Sequence, residues 1–296
     1  MEKEYWFVVL TGILSGGIVF GSKLFADMGI SLYQMTLIPS LIGLAITFPL
    51  FITKKRYLLN KEMIKFFVLF GLIGSIGVLA QYTSVILGVP VPVVVLLLYT
   101  QPLWTILYSG IFLKEKITKI KIIAIITVLL GVILIVNPLK IKTIGNLPGI
   151  IAALLGGLAL SGWVILGSIS GKKEYKPITT FFVGGVFATL FTLIYYPLFR
   201  YLIKDPSLTS FSFNLPVKIW IYMLIYQSLL RIIPHTLYYT GTRKVSTSDA
   251  GVILLLEPVS AAILSSLFLG DRLTVSVIIG GILILIANYL VIKEKG

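Results

Sequence analysis

Apolar stretches of about 20 residues recur along the whole chain, and short polar segments separate them. A helix needs roughly 20 apolar residues to cross about 30 Å of hydrocarbon, so each stretch is predicted to be a transmembrane helix. The longest connection contains Asp205, Pro206 and Asn214 and is predicted to be an irregular loop. The pattern predicts ten helices, at about 5–26, 31–52, 64–87, 91–113, 118–137, 149–169, 177–200, 218–241, 248–269 and 273–292.

The second half of the chain repeats the first. Residues 82–134 match residues 238–290 at a constant offset of 156 without a gap, and a weaker match at offset 146 pairs Ser15 with Ser161 and Gly16 with Gly162. Because five is an odd number of spans, the second half must enter the membrane in the opposite sense. We therefore expect an all-α integral membrane protein of ten transmembrane helices as two inverted five-helix repeats, 1–145 and 146–296, with the site at their interface.

Composition supports a multi-pass membrane protein, since 57% of the residues are hydrophobic, 12% are charged and the mean hydropathy is +1.03. The net charge of +14 would suggest a nucleic-acid partner in a soluble chain. Here the basic residues lie in short loops: of 25 Lys and Arg, 17 fall on the side of the termini, 7 on the other side, and Arg231 falls inside a span. We therefore predict no nucleic-acid partner, a plasma-membrane location and both termini in the cytoplasm.

A family resemblance rests on two related stretches, Leu254–Pro258 (LLLEP) and its repeat partner Leu98–Pro102 (LYTQP). An acidic residue follows each stretch after about fourteen positions, Asp271 and Glu115 respectively. The chain resembles the EamA-type transporters of the drug/metabolite transporter superfamily. The resemblance implies a ten-helix, two-repeat exporter of small polar or amphiphilic metabolites, commonly amino acids, that works by alternating access.

Three ionisable side chains fall inside predicted spans, where each costs about 2.5–3.5 kcal/mol at a helix centre and needs a partner. Arg231 and His235 are four residues apart on the eighth span and share a face, and Glu257 lies near the middle of the ninth. At about 1.5 Å per residue, Arg231 and Glu257 lie at roughly 20 and 18 Å depth, so we expect them to face each other on neighbouring helices.

The charges belong to the second half alone, because the offset of 156 relates Arg231 to Ser75 and Glu257 to Gln101. A feature that the shared scaffold does not require is a candidate for function. Arg231 could meet an acidic group of a solute and Glu257 an amine. Alternatively, the two side chains neutralise each other. A Glu257 without a cationic neighbour would be a candidate to carry a coupling proton, which a close Arg231 would oppose.

Other polar and aromatic side chains of the spans could line the same cavity. Tyrosine and tryptophan also gather at membrane interfaces, so ordinary placement there is the competing interpretation. Pro102 and Pro258 lie inside spans and are predicted to kink them, either permanently or as gates beside the cavity. The predicted solute-binding residues are Arg231, Glu257, Gln101, Tyr82, Tyr99, Trp163, Gln227, His235 and Tyr238.

Several function classes are excluded or disfavoured. One His, no Cys and no cluster of metal-ligating residues leave little for an enzyme, and no metal or cofactor is predicted. The sequence has no glycine-rich phosphate loop for nucleotide hydrolysis and no pattern typical of a channel filter. The favoured prediction is a secondary exporter of an amino acid or related metabolite, acting as a monomer or homodimer. Uptake of an amine or nucleobase-like solute is the alternative, ahead of a membrane-embedded enzyme or channel.

Overall fold

The computed structural model describes residues 3–53, 59–89, 91–137, 147–270 and 273–294, apart from the side chains of residues 82, 85, 86, 91, 92 and 207. Within these ranges, ten helices are long and apolar enough to cross a bilayer, which confirms the predicted number. We number them spans one to ten: Lys3–Asp27, Leu32–Thr53, Lys61–Gln81, Val93–Phe112, Lys119–Val136, Leu147–Lys172, Pro177–Leu202, Val217–Gly241, Thr247–Leu269 and Val275–Lys293.

The ends of the spans follow local sequence signals, and the two halves share them. Thr118 caps span five by accepting a hydrogen bond from the Lys121 N–H. Thr274, its counterpart at the offset of 156, caps span ten in the same way with the Val277 N–H. The loop predicted between spans seven and eight contains one short helix, Pro206–Thr209.

An even number of spans places both ends of the chain on one side of the bilayer, called the termini side below. Each half contributes five spans, so the second half is inverted relative to the first, as predicted. The loops after spans two, four, six and eight therefore lie on the termini side, and those after the odd-numbered spans lie on the opposite side.

Span one packs between spans eight and nine, and span six packs in the equivalent way against spans three and four. A Cβ atom on Gly157 of span six would meet the Leu97 carbonyl oxygen at 2.8 Å and would also contact Leu98 and Thr100. A Cβ atom on Gly12 of span one would meet Ile253, Leu254 and Leu256, which are the same three positions at the offset of 156. Glycine at both places lets backbones approach closely, and the packing of the repeat is preserved.

The outer surface suits a bilayer, because large apolar side chains remain exposed along the helices. Ile111, Phe112 and Leu267 are 60–72% exposed. Spans five and ten pack directly on each other, with Ala124 and Ala287 fully buried. The fold is thus a bundle whose interior is shared by both halves, the arrangement in which repeat transporters hold their sites.

Candidate functional site

Spans four and nine are both broken at repeat-related positions near mid-membrane. In span nine, helix Thr247–Ile253 is followed by a 3₁₀ turn at Leu254–Leu256 and then by helix Glu257–Leu269. At span four, helix Val91–Leu98 includes the start of the span, and two residues separate it from helix Gln101–Phe112. Pro258 and Pro102 occupy the first turn of the second segment in each span, where a missing N–H costs least. The α-helix is therefore interrupted at both places where kinks are predicted, and Glu257 and Gln101 stand at the start of equivalent half-helices.

Span eight contains a third break, which the first half does not share. Helix Val217–Gln227 passes into a π-helical turn at Ser228–Ile232, and helix Ile233–Gly241 follows. The counterpart in the first half is the helix Lys61–Ile86, which contains span three and is uninterrupted. Single π turns inside α-helices occur often at functional sites. The sequence interpretation missed this turn, although Pro234, which stands opposite Val78 in the repeat, was a signal for it.

Arg231 lies in the π turn and is partly buried, and its Nε is buried without a hydrogen-bond partner. Among the described residues, no ion pair within 4.0 Å joins Arg231 to Glu257. The structure therefore does not show the mutual neutralisation that the sequence left open. A buried guanidinium nitrogen without a partner is costly, and such a donor is free for an anionic or polar group.

The first span explains why the two charges are separate. A Cβ on Gly16 would meet the Glu257 carbonyl oxygen at 2.7 Å, and one on Gly17 would meet the Leu230 side chain at 2.6 Å. Span one thus lies between the helices that carry Glu257 and Arg231. The expectation that these helices are direct neighbours is wrong, because matched depth gives no information about which helix packs between them.

His235 belongs to an aromatic cluster in the termini-side half of the bundle. Its ring lies 5.0 Å from Trp163 and 5.8 Å from Phe181, both edge-on. The Nδ1 atom lies 2.7 Å from the Arg231 carbonyl oxygen, and because a carbonyl only accepts, Nδ1 carries the proton. In the neutral ring, Nε2 is therefore left as an acceptor.

Trp163 also stacks on Tyr238 with ring centroids 5.4 Å apart, so three predicted solute-binding residues meet in one group. Tyr238 is fully buried, and its hydroxyl donates to the Val164 carbonyl oxygen at 2.6 Å. The hydroxyl of Tyr238 is thus already engaged with span six. We infer that Tyr238 contributes a ring face, not a free hydroxyl.

The remaining predicted residues are distributed around this region. Gln101 is buried and donates from Nε2 to Thr105, whose hydroxyl in turn contacts Ser161 at 3.1 Å. Tyr99 is buried within electrostatic range of Glu257. Gln227 is buried against Gly43 of span two, and its Oε1 has no hydrogen-bond partner. The side chain of Tyr82 lies outside the described residues.

A small pocket of about 30 Å³ lies towards the opposite side of the bilayer, between spans two, three and seven and the loop that follows span seven. Two of its lining residues, Ser75 and Leu79, are the repeat counterparts of Arg231 and His235. The aromatic cluster around Trp163 and His235 lies in the termini-side half, which also has an open apolar groove between spans two and seven. The lining of the pocket on the opposite side includes Tyr33, Ser75, Leu79, Thr192, Tyr196 and Thr209.

The inverted repeat, the broken spans and ionisable groups at mid-membrane define a multi-pass transporter. A family model matches the chain twice, over residues 2–137 and 147–293, so this protein belongs to the EamA-like transporter family. This finding confirms the resemblance seen in the sequence.

Proteins with similar sequences are also named transporters. An uncharacterized transporter of Clostridium kluyveri is 27% identical over 300 residues, which cover 97% of this chain and 92% of that protein. The uncharacterized transporter YetK of Bacillus subtilis is 27% identical over 206 residues, covering 66% of this chain and 58% of YetK. A solved crystal structure with 15% identity superimposes with a TM-score of 0.73, covering 97% of this chain and 96% of that one, and supports the fold.

Proposed function

We propose that this protein is a secondary active transporter of a small polar or amphiphilic metabolite, and that it exports an amino acid or related metabolite by alternating access. The observation that carries the proposal is Arg231, whose Nε is buried without a partner in a π turn near mid-membrane. A fold that only needed packing would not leave a buried guanidinium nitrogen without a hydrogen-bond partner there. An anionic group of a solute would supply the missing acceptor.

Glu257 gives the proposed site its second charge. It begins the second half-helix of span nine and is partly buried. Because the structure shows no ion pair for this carboxylate among the described residues, it is available to a solute amine or to a coupling proton. The aromatic rings of Trp163 and His235 would shape the termini-side wall of the site, and Gln101, Gln227, Tyr99 and Tyr238 would complete it, with Tyr82 kept as a candidate from the sequence.

The inverted repeat supports alternating access. Ser75 and Leu79 line the space on the opposite side, whereas their counterparts Arg231 and His235 lie by the packed aromatic cluster. If the halves exchange conformations, the equivalent cavity opens on the termini side and exposes Arg231 and His235. Pro102 and Pro258 are placed to let the half-helices of spans four and nine bend during that exchange.

The orientation is part of the proposal. The 17 to 7 division of basic residues supports cytoplasmic termini in a plasma membrane. The internal repeat supports two functional halves, 1–145 and 146–296. The space seen in the structure would then face outwards. Uptake of an amine or nucleobase-like solute remains the alternative direction and substrate class, and a monomer or a homodimer would be compatible with this site.

The test is transport by the full chain in liposomes, with labelled amino acids, amines and nucleobases, with and without a pH gradient. Arg231→Gln is expected to reduce transport of the accepted solute by roughly 10- to 150-fold, because a lost hydrogen bond to a charged group costs about 1.5–3 kcal/mol. Glu257→Gln should abolish the response to the pH gradient if this carboxylate carries a proton, and otherwise should weaken amine binding.

Arg243→Gln and Glu174→Gln are the matched controls, since both residues are exposed on the termini side and lose the same charges. Both should transport normally. If Arg231→Gln, Glu257→Gln and the double variant all fold and all transport like the wild type, the proposed site is wrong. Full activity in the double variant alone would instead show that the charges only neutralise each other.

A further inference from the structure

Glu115, in the short loop after span four, reaches across the bundle and contacts the start of span nine. Its carboxylate accepts the N–H groups of Thr247 at 2.8 Å and Ser248 at 3.0 Å, and the Ser248 hydroxyl at 2.8 Å. Lys172, at the end of span six, forms an ion pair with it at 2.6 Å. Glu115 does not cap its own following helix, because Thr118 caps span five.

The Glu115 carboxylate is firmly ionised. Burial alone would raise its pKa, but the hydrogen bonds from Lys172 and from the Ser248 and Thr247 N–H groups outweigh burial and lower the pKa to about 2. The positive end of the span-nine helix favours the same charge state. This contact is therefore unchanged across the physiological pH range.

A second set of contacts lies beside the first. Lys121 of span five forms an ion pair with Asp249 of span nine at 2.9 Å, and both side chains are at least 96% buried. Lys121 also donates to the Ser248 hydroxyl at 2.6 Å. The Tyr5 hydroxyl of span one donates to the other Asp249 oxygen at 2.9 Å. Four regions of the bundle thus meet at the start of span nine.

These contacts join the two halves on the termini side. Spans one and five and the loop after span four belong to the first half, and spans six and nine belong to the second. We name this group the latch; it consists of Tyr5, Glu115, Lys121, Lys172, Thr247, Ser248 and Asp249.

The sequence has no equivalent charge network on the other side. At the offset of 156, Lys121 corresponds to Val277, Asp249 to Val93 and Ser248 to Pro92. Only Glu115 keeps an acidic counterpart, Asp271, which lies outside the described residues. Because the scaffold is repeated and these polar groups are not, they are an addition to one side only. Contacts that exist on only one side of a repeated scaffold make the state open on the termini side and the state open on the opposite side unequal in free energy.

We propose that the latch holds the termini side closed in the resting state, and that Glu115 is the gating residue whose contacts must break before that side opens. This proposal rests on the alternating access proposed above.

The test uses thiol accessibility, for which the chain is convenient because it has no native Cys. Ser109 lies at the end of span four behind the latch and is fully buried, and in the described contacts its hydroxyl bonds only within its own helix. Its repeat counterpart, Ser265, lies at the end of span nine on the opposite side. Ser109→Cys and Ser265→Cys are therefore matched reporters for the two sides, read by a charged, membrane-impermeant thiol reagent in proteoliposomes.

In the otherwise native chain, the thiol of the Ser109→Cys variant should react slowly. Adding Glu115→Gln should raise its modification rate at least about tenfold, because the loss of a charge-assisted contact shifts a two-state equilibrium by that factor or more. Lys172→Gln, which removes the partner charge, should act in the same direction. Glu174→Gln, an exposed glutamate on the same side, should leave the rate unchanged.

The possible outcomes distinguish the latch proposal from the proposal of alternating access. A rise at Ser109→Cys with a fall at Ser265→Cys supports both the latch and alternating access. A rise at Ser109→Cys with no change at Ser265→Cys supports the latch and contradicts alternating access. If Ser109→Cys stays protected in both Glu115→Gln and Lys172→Gln while the proteins melt cooperatively, the latch proposal is overturned.

Discussion

Single polar side chains carry the functional argument, and their surroundings decide what each can do. Arg231 has an unpartnered Nε near mid-membrane and is available to a solute. Lys121 is more deeply buried and is paired with Asp249 at 2.9 Å, so its charge holds helices together. A basic residue inside the protein is thus a candidate site only where the structure leaves it without a protein partner.

The charge of Glu115 leads to a prediction about pH. Its pKa is lowered from the ordinary value of 4.5 to about 2, so the stabilisation it provides is complete above about pH 4.5 and is lost as the pH falls towards 2. Thermal melting of the wild type and of Glu115→Gln should therefore differ by a constant amount from pH 5 to 8, and the difference should vanish near pH 2. Glu174→Gln is the control. A difference that disappears near pH 6 would contradict the ionised contact.

At the scale of helices, breaks and close contacts distinguish functional from structural spans. Spans four and nine are broken at matching positions, so these breaks belong to the shared scaffold. The π turn of span eight exists in one half only and carries Arg231. The hydropathy of span eight gave no indication of it, because a π turn leaves the apolar character of a helix unchanged.

The repeat-related contacts of Gly12 and Gly157 predict equal costs of substitution. Gly12→Ala and Gly157→Ala each place a methyl group 2.8 Å from a backbone carbonyl oxygen, and each should lower the free energy of unfolding by about 1–3 kcal/mol. In Gly77→Ala, the new atom meets Ala159 at an ordinary 3.5 Å, so stability should hold or rise slightly. Thermal melts in detergent provide the measurement. A loss in only one of the two close-contact variants would show that the packing is not equivalent.

At the scale of the molecule, the repeat makes the two sides of the bundle comparable, and their differences become informative. The termini side has the latch and a packed aromatic cluster, and a small pocket lies towards the opposite side. Since both halves share one scaffold, this difference must arise from the side chains that the repeat did not conserve. Transport direction would then depend on a small number of residues on one side.

The orientation itself is testable. A reporter active only in the cytoplasm, fused after the C-terminus, should be active, because an even number of spans and the excess of basic residues place both ends there. The same reporter fused after Lys204, beyond span seven, should be inactive and serves as the control. Activity in the second fusion and not the first would reverse the membrane orientation, and the cavity would then face the cytoplasm.

Hydropathy was sufficient to predict ten spans, because helix formation in a bilayer depends on the length of the apolar stretch. The offset of 156 was sufficient to predict the inverted repeat, and with it the family, because a duplication is visible residue by residue. They also identified Arg231 and Glu257 as charges outside the shared scaffold. Only the tertiary structure decided that span one separates these two residues, that Pro234 accompanies a π turn, and that Glu115 contacts span nine instead of its own helix. These features depend on residues that are far apart in the chain, 133 positions for Glu115 and Ser248, and on which helix packs between them.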